Sequence, residues 1–139
     1  TFASQSRAAP SNITGLGSIV TLSGFTPLTE SDRYYRNGKL KFKNAANVLN
    51  ESDAAGTSNL YAEYSTNGGS SWTTIRTAAA TGAAATASLA EQVDTVTLPD
   101  GFDPSKVQVR IRGFGHADGT TNNGEIIAKA YEAELEADF

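Results

Sequence analysis

Few side chains in this sequence could carry a reaction. His116 is the only histidine, and there is no cysteine. That removes thiolate nucleophiles, cysteine-ligated metals and disulfide frameworks. A general base needs a partner and a pocket, and His116 stands in a polar run, residues 113–124, that suggests neither. No Gly-x-Ser-x-Gly elbow, Walker loop or His-rich metal spacing occurs. Asp118, Asn122, Asn123 and Glu125 offer hard oxygens for calcium, as do Glu51 and Asp53. Their spacing matches no EF-hand, and Asn and Asp are ordinary turn residues. The residues therefore predict no catalytic group, no metal and no cofactor. The expectation is a binding or assembling protein, not an enzyme.

Two sets of residues suit binding or assembly. Tyr34 and Tyr35, flanked by Arg33 and Arg36, are the best glycan candidates. Consecutive strand residues face opposite sides, so one of the two tyrosines must point outward. Tyr61 and Trp72 are further candidates, although Tyr and Trp are equally ordinary sandwich core residues. The second set is two rows of charge: Lys39, Lys41 and Lys43, and Glu132, Glu134, Glu136 and Asp138. Within one sheet such rows can pair across strands, each pair adding roughly 0.2–1 kcal/mol. They can also be a solvated guard against edge-to-edge aggregation, or pair between copies. Phe139 keeps the apolar alternation going to the last residue, which suits strand addition to a neighbour.

The elements that would position these groups are strands. Residues 19–22 form a short β-branched run ended by Gly24 and Pro27. Residues 39–43 alternate, with Leu40 and Phe42 opposite the lysines. Residues 44–58 are rich in Asn, Asp, Gly and Ser and are expected to be mostly loop, anchored by Val48 and Leu49. Two aromatic and β-branched runs then flank Asn67-Gly68-Gly69, a strong hairpin signal because Asn and Gly tolerate positive φ. Residues 78–90, nearly all Ala, Thr, Ser and Gly, suggest a surface loop or weak edge strand. Residues 93–98 form a strand closed by Pro99-Asp100-Gly101. Val107, Val109 and Ile111 alternate with Lys106, Gln108, Arg110 and Arg112 in the cleanest strand of the chain.

The last stretch, residues 125–138, is helical by propensity. Yet Tyr131, Ala133, Leu135, Ala137 and Phe139 alternate with the acidic row, and no helix would gather them into one stripe. It is therefore expected to be a strand. The outcome is an all-β, antiparallel β-sandwich of seven to eight strands, jelly-roll or immunoglobulin-like. Residues 1–16 form an extended N-terminal arm and residues 17–139 a single domain.

Bulk properties restrict the partners. The net charge of −4 lacks the basic footprint of a nucleic-acid binder. No apolar run approaches the roughly 20 residues that span a bilayer. Residues 1–77 carry a net +2 and residues 78–139 a net −6, an asymmetry that can guide docking. The opening residues lack the basic-then-apolar layout of a secretory signal, which suits either a mature end after cleavage or, the preferred reading, a cytosolic product whose initiator methionine was removed.

Tyr61, Glu63, Tyr64, Ser65, Asn67, Gly68, Gly69 and Trp72 resemble a hairpin of several extracellular and viral β-sandwich modules. The run Leu98-Pro99-Asp100-Gly101-Phe102, followed by residues 107–112, is similar to their penultimate-strand region. The resemblance covers roughly residues 38–139. It embraces jelly-roll adhesin and carbohydrate-binding modules, fibronectin type III-like domains and bacteriophage virion accessory proteins. Residues Ser65, Asn67, Gly68, Gly69 and Trp72 also look like an Asp-box, with Asn67 at the Asp position, a hairpin-stabilising motif. One copy cannot build a propeller, which needs repeated blades.

One small sandwich, no catalytic constellation, an arm and segregated charge suggest a structural protein of a multi-subunit particle. The resemblance implies that the particle is a bacteriophage virion assembled in the host cytoplasm. Capsid decoration (cement) and tail or neck accessory are the two roles it suggests. Its partners would be copies of itself, other particle subunits and surface glycans, with no nucleic acid and no membrane insertion. One alternative is a carbohydrate-binding or adhesin module of a secreted protein. Another is a self-assembling extracellular filament subunit whose residues 1–16 insert into the next copy.

Overall fold

A computed structural model describes the backbone of residues 2–6, 11–13, 17–22, 34–50, 56–114 and 125–139. Side chains are described for residues 34–50, 56–113 and 128–139. His116 and Arg33, and the calcium candidates Glu51, Asp53, Asp118, Asn122 and Asn123, lie outside the described residues. So does the side chain of Glu125.

The strands are β1 (Phe2–Ser6), β2 (Ser11–Ile13), β3 (Gly17–Leu22), β4 (Arg36–Leu49), β5 (Thr57–Ser65), β6 (Thr73–Thr81), β7 (Thr86–Thr97), β8 (Gln108–Phe114) and β9 (Glu125–Asp138). A 3-10 turn, Pro104–Lys106, precedes β8. One sheet runs β1-β9-β4-β7, with β2 also paired to β9; the other runs β3-β8-β5-β6. Every pairing is antiparallel. Among the described strands from β2 onward, β5–β6 is the only consecutive pair that stays in one sheet. Each other connection carries the chain across to the opposite layer.

The core lies between the layers. Along β4 every second residue is buried: Leu40, Phe42, Asn44, Ala46 and Val48. Ala133, Leu135 and Ala137 from β9 join them, facing Leu60 and Ala62 of β5 and Val107, Val109 and Ile111. Period-two alternation is the pattern that buries one face of a pleated sheet, which is why the helix-forming residues of β9 are held as a strand.

Two expectations need correction, and one alternative is decided. Residues 44–49 are not loop but the second half of β4, because their inward positions are Asn44, Ala46 and Val48 and all three are buried. Residues 78–90 take the edge-strand alternative: they end β6, turn through Gly82 (φ 101) and Ala84 (φ 55), and begin β7. Both are edge strands, so the small side chains serve positions that pack on one side only. Tyr131 does not share the inward face of Leu135. Opposite β4, the register passes from Lys43–Glu132 to Asn44–Ala130, so Tyr131 is the extra residue of a bulge. Ala128 and Ala130 point inward before it, and Ala133 after it. Its half-buried ring lies beneath the Lys43 ammonium, 5.4 Å away.

Buried polar residues tie the layers together. Arg76 of β6 donates to Asp94 of β7 (3.0 Å), to the Asn44 carbonyl and side chain (3.2 and 2.7 Å) and to the Ala90 carbonyl (2.7 Å). Asn44 in turn donates to Asp94 (2.8 Å). The register shifts near Asn44 and between residues 89 and 92 leave carbonyls for a guanidinium to collect. At one end of the sandwich Asn50 donates to the carbonyls of Gly56, Ala80 and Gly82 and accepts from Ser58. Buried donors and acceptors are thus engaged, as a stable interior requires.

Candidate functional site

Three surfaces bring together residues with chemistry. On the outer face of the β9-containing sheet, the two charged rows stand opposite one another. Lys39 is across from Glu136, Lys41 from Glu134 and Lys43 from Glu132. The opposition of the rows comes from strand register. Their ends are not at ion-pair distance among the described residues: the pairs that reach it are Arg76–Asp94, Arg110–Glu63 and Arg112–Glu63. Lys43 leans over Tyr131 instead. Lys41, Lys43, Val93, Glu132 and Glu134 line a shallow groove. In it a hydrogen bond that protonated Glu134 donates to Glu132, burial and the neighbouring Glu132 charge raise the Glu134 pKa above its ordinary value, opposed by Lys41.

The outer face of the other sheet is packed more tightly. Glu63 of β5 points away from the core yet is only 4 % exposed. Arg110 and Arg112 of β8 each donate through Nε to Glu63 Oε1, at 2.9 and 3.0 Å. Arg110 lies 3.9 Å from the centre of the Trp72 ring and Arg112 4.2 Å from that of Tyr61. The result is an interleaved stack of two rings, two guanidiniums and one carboxylate.

The hairpin beside it is braced from within. Ser65 Oγ accepts from the N–H groups of Asn67 (3.2 Å) and Gly69 (2.9 Å), and Asn67 Oδ1 accepts from Ser71 N–H (2.9 Å). Gly68 and Gly69 adopt φ of 72 and 88°, which a side chain would strain. Trp72 folds back over the turn and donates to the Gly69 carbonyl at 3.1 Å. Tyr61 and Trp72 are therefore both half-buried partners of arginines.

The third surface is an end of the sandwich. Tyr35 is 2 % exposed and packs on Phe102 and Phe139, with ring centres 5.9 Å apart in each case. It is a core residue, which corrects its place among the glycan candidates. Tyr34 is 64 % exposed and Phe139 49 %. Arg36, exposed, is opposite Asp138 in the β4–β9 register. Asn37, in the left-handed region at φ 53°, donates its backbone N–H to Asp100 Oδ1 and its side-chain amide to Asp138 Oδ2, both at 3.1 Å. The structure thus gathers Tyr34, Arg36, Asp138 and Phe139 at one end. It adds Asn37 and Asp100, which sequence reasoning missed. The available signal was Asn-Gly at 37–38, a dipeptide that favours positive φ.

β9 is not an open edge along its length. It pairs with β4 on one side and with β1 and β2 on the other, so the register once offered for strand addition is occupied over residues 126–128 and 132–136. Asp103 follows Phe102 in the turn before β8. It caps the 3-10 turn, and hydrogen bonds from the side chain and backbone of Ser105 hold its carboxyl below the usual range.

Fold and surface define a β-sandwich with two charged outer faces and an aromatic end. No family model matches the chain, and no curated protein matches it. Solved structures to which it is similar include the CBM36-1 domain of a multidomain xylanase from the hindgut metagenome of Trinervitermes trinervoides. That domain is 11 % identical with a TM-score of 0.31, the match covering 100 % of this chain and 98 % of that one. Eiger TNF from S. frugiperda is 10 % identical, with coverage of 95 and 92 % and a TM-score of 0.35. Desmodium yellow mottle tymovirus is 11 % identical, with coverage of 98 and 90 % and a TM-score of 0.28. At these scores the likenesses carry no argument about function, which rests on the geometry of the chain itself.

Proposed function

We propose that this chain is a non-enzymatic jelly-roll subunit that associates with copies of itself in a larger particle. The proposed setting is a bacteriophage virion, as a decoration protein or a tail or neck accessory. The strand order β1/β2-β9-β4-β7 facing β3-β8-β5-β6 is that of two interlocked Greek keys, which supports the jelly-roll assignment.

The observation that carries the assembly reading is the arm. β1 and β2 are short, and their only ladder partner among the described residues is β9. A short segment held through one ladder can be supplied by its own chain or by a neighbour at little cost in contacts. The virion setting is supported by the sequence resemblance to phage accessory proteins.

The test is the mass of the full chain by light scattering over a wide concentration range, at low and high salt. A discrete closed oligomer supports the reading, and its loss in salt assigns the contact to the charged rows. A monomer at every concentration and salt overturns self-association.

A further inference from the structure

We propose that the end of the sandwich formed by Tyr34, Asn37, Asp100 and Asp138 is a carbohydrate-binding site. In it Tyr34 is the platform for a neutral pyranose ring, and the two carboxylates accept hydrogen bonds from its hydroxyls. This site is independent of the assembly role and would stand whether or not the chain self-associates.

The platform is exposed and held. Tyr34, at 64 %, is the most exposed of the large hydrophobic side chains described. Its ring lies along the backbone of the turn that follows Leu98. A Cβ added at Gly101 would stand 2.8 Å from Tyr34 Cε2 and 3.3 Å from Cζ. Gly101 is itself fixed, at φ 82°, with its N–H on the Tyr35 carbonyl at 2.7 Å. The bare backbone of one glycine therefore lies against the Cε2–Cζ–Oη part of the ring, while most of the side chain stays exposed. An aromatic surface already ordered in the free protein avoids the entropic cost of fixing a mobile side chain on binding.

The acceptors are placed by a turn residue. Asn37 adopts a left-handed conformation, which asparagine tolerates better than most other non-glycine residues. From that position it grips Asp100 Oδ1 through its main chain and Asp138 Oδ2 through its amide. Each carboxylate uses one oxygen in this way, and the other accepts from no donor among the described residues. All four side chains are exposed.

The chemistry selects the ligand. The C–H face of a pyranose is apolar and stacks on an aromatic ring, while its hydroxyls donate to carboxylate oxygens. Two carboxylates against one arginine, Arg36, leave the described groups of this end net negative, which disfavours an anionic ligand; a cation is the competing occupant that tetralysine tests. A neutral glycan satisfies the platform, the acceptors and the charge together.

The experiment is a backbone-amide NMR titration of the full chain with cellohexaose, xylohexaose, laminarihexaose and chitohexaose at millimolar concentration, with tetralysine as the cationic comparison. The expected result is that at least one glycan shifts amides confined to residues 34–38, 98–102 and 137–139. Tyr34→Ala and Asp138→Ala should each weaken that binding by about tenfold or more. Tyr34 and Asp138 are exposed, so unchanged spectra elsewhere will show that both variants fold. No shift with any of the four glycans overturns the proposal. So does binding that survives Tyr34→Ala, shifts that map to Tyr61 and Trp72 instead, or a response to tetralysine alone.

Discussion

Both outer faces of the sandwich carry opposite charges on neighbouring strands, and the two handle them differently. On β4 and β9, three lysines stand in register with three glutamates, yet none closes to ion-pair distance. On β5 and β8, one glutamate is held by two arginines at 2.9 and 3.0 Å. Register brings charges near one another. It takes a planar guanidinium with an aromatic ring to stack on, and neighbours that exclude water, to turn nearness into a fixed contact. A lysine has neither the plane nor the fork, and its hydrated ammonium loses little by staying in solvent.

The sharpest way to break this comparison is Glu63→Ala. It leaves two partly buried arginines facing each other, and should cost about 3 kcal/mol in urea unfolding. A loss below about 1 kcal/mol would put the stack on the same footing as the comb. Arg76→Ala provides an internal control, since it strips Asp94, Asn44 and the Ala90 carbonyl of a shared donor. Its expected cost is about 2 kcal/mol. Trp72→Ala removes the ring beneath Arg110 and the brace on Gly69, and should cost about 1–2 kcal/mol by the same measurement.

On the other face, Lys41→Ser should change stability by less than about 0.5 kcal/mol, and that small effect should vanish in high salt. The pH dependence sharpens the contrast further. The folded-state pKa of Glu134 is raised, chiefly by its hydrogen bond with Glu132. The folded chain therefore binds that proton more readily than the unfolded chain. The contribution is present below the unfolded pKa and is lost as pH rises through the folded one. Asp103 has the opposite sign: its pKa is lowered by Ser105, so its contribution is present above the unfolded pKa and lost as pH falls through the folded one. Urea unfolding of Glu134→Gln across the carboxylate range should lack the first contribution and retain the second. An unchanged profile would remove Glu134 from the account.

Local alternation was enough to read the first half of β4, β8 and the strand character of β9, while a β-branched run marked β3 and Asn-Gly-Gly the hairpin. Leu40 and Phe42, and Val107, Val109 and Ile111, announce their faces two residues at a time. The same rule failed where the period is interrupted. Tyr131 looked inward because nothing in a single strand reveals a bulge; the extra residue exists only relative to the partner strand. Residues 44–49 looked like loop because Asn44 and Asn47 are turn formers. The inward Asn44 is tolerated in the core because Arg76 and Asp94, far along the chain, meet its side chain.

Sequence by itself determined the all-β class, the hairpin at Asn67-Gly68-Gly69, the two charged rows and the pair of tyrosines of which one must face out. These follow from covalent geometry, since strand side chains alternate and glycine permits positive φ. Tertiary structure decided which tyrosine was buried, that the lysine and glutamate rows share one sheet face, and that Glu63 sits between two arginines. It also brought Asn37, Asp100 and Asp138 to one end beside Tyr34. Each of these depends on contacts between residues distant in the chain, which local periodicity does not encode.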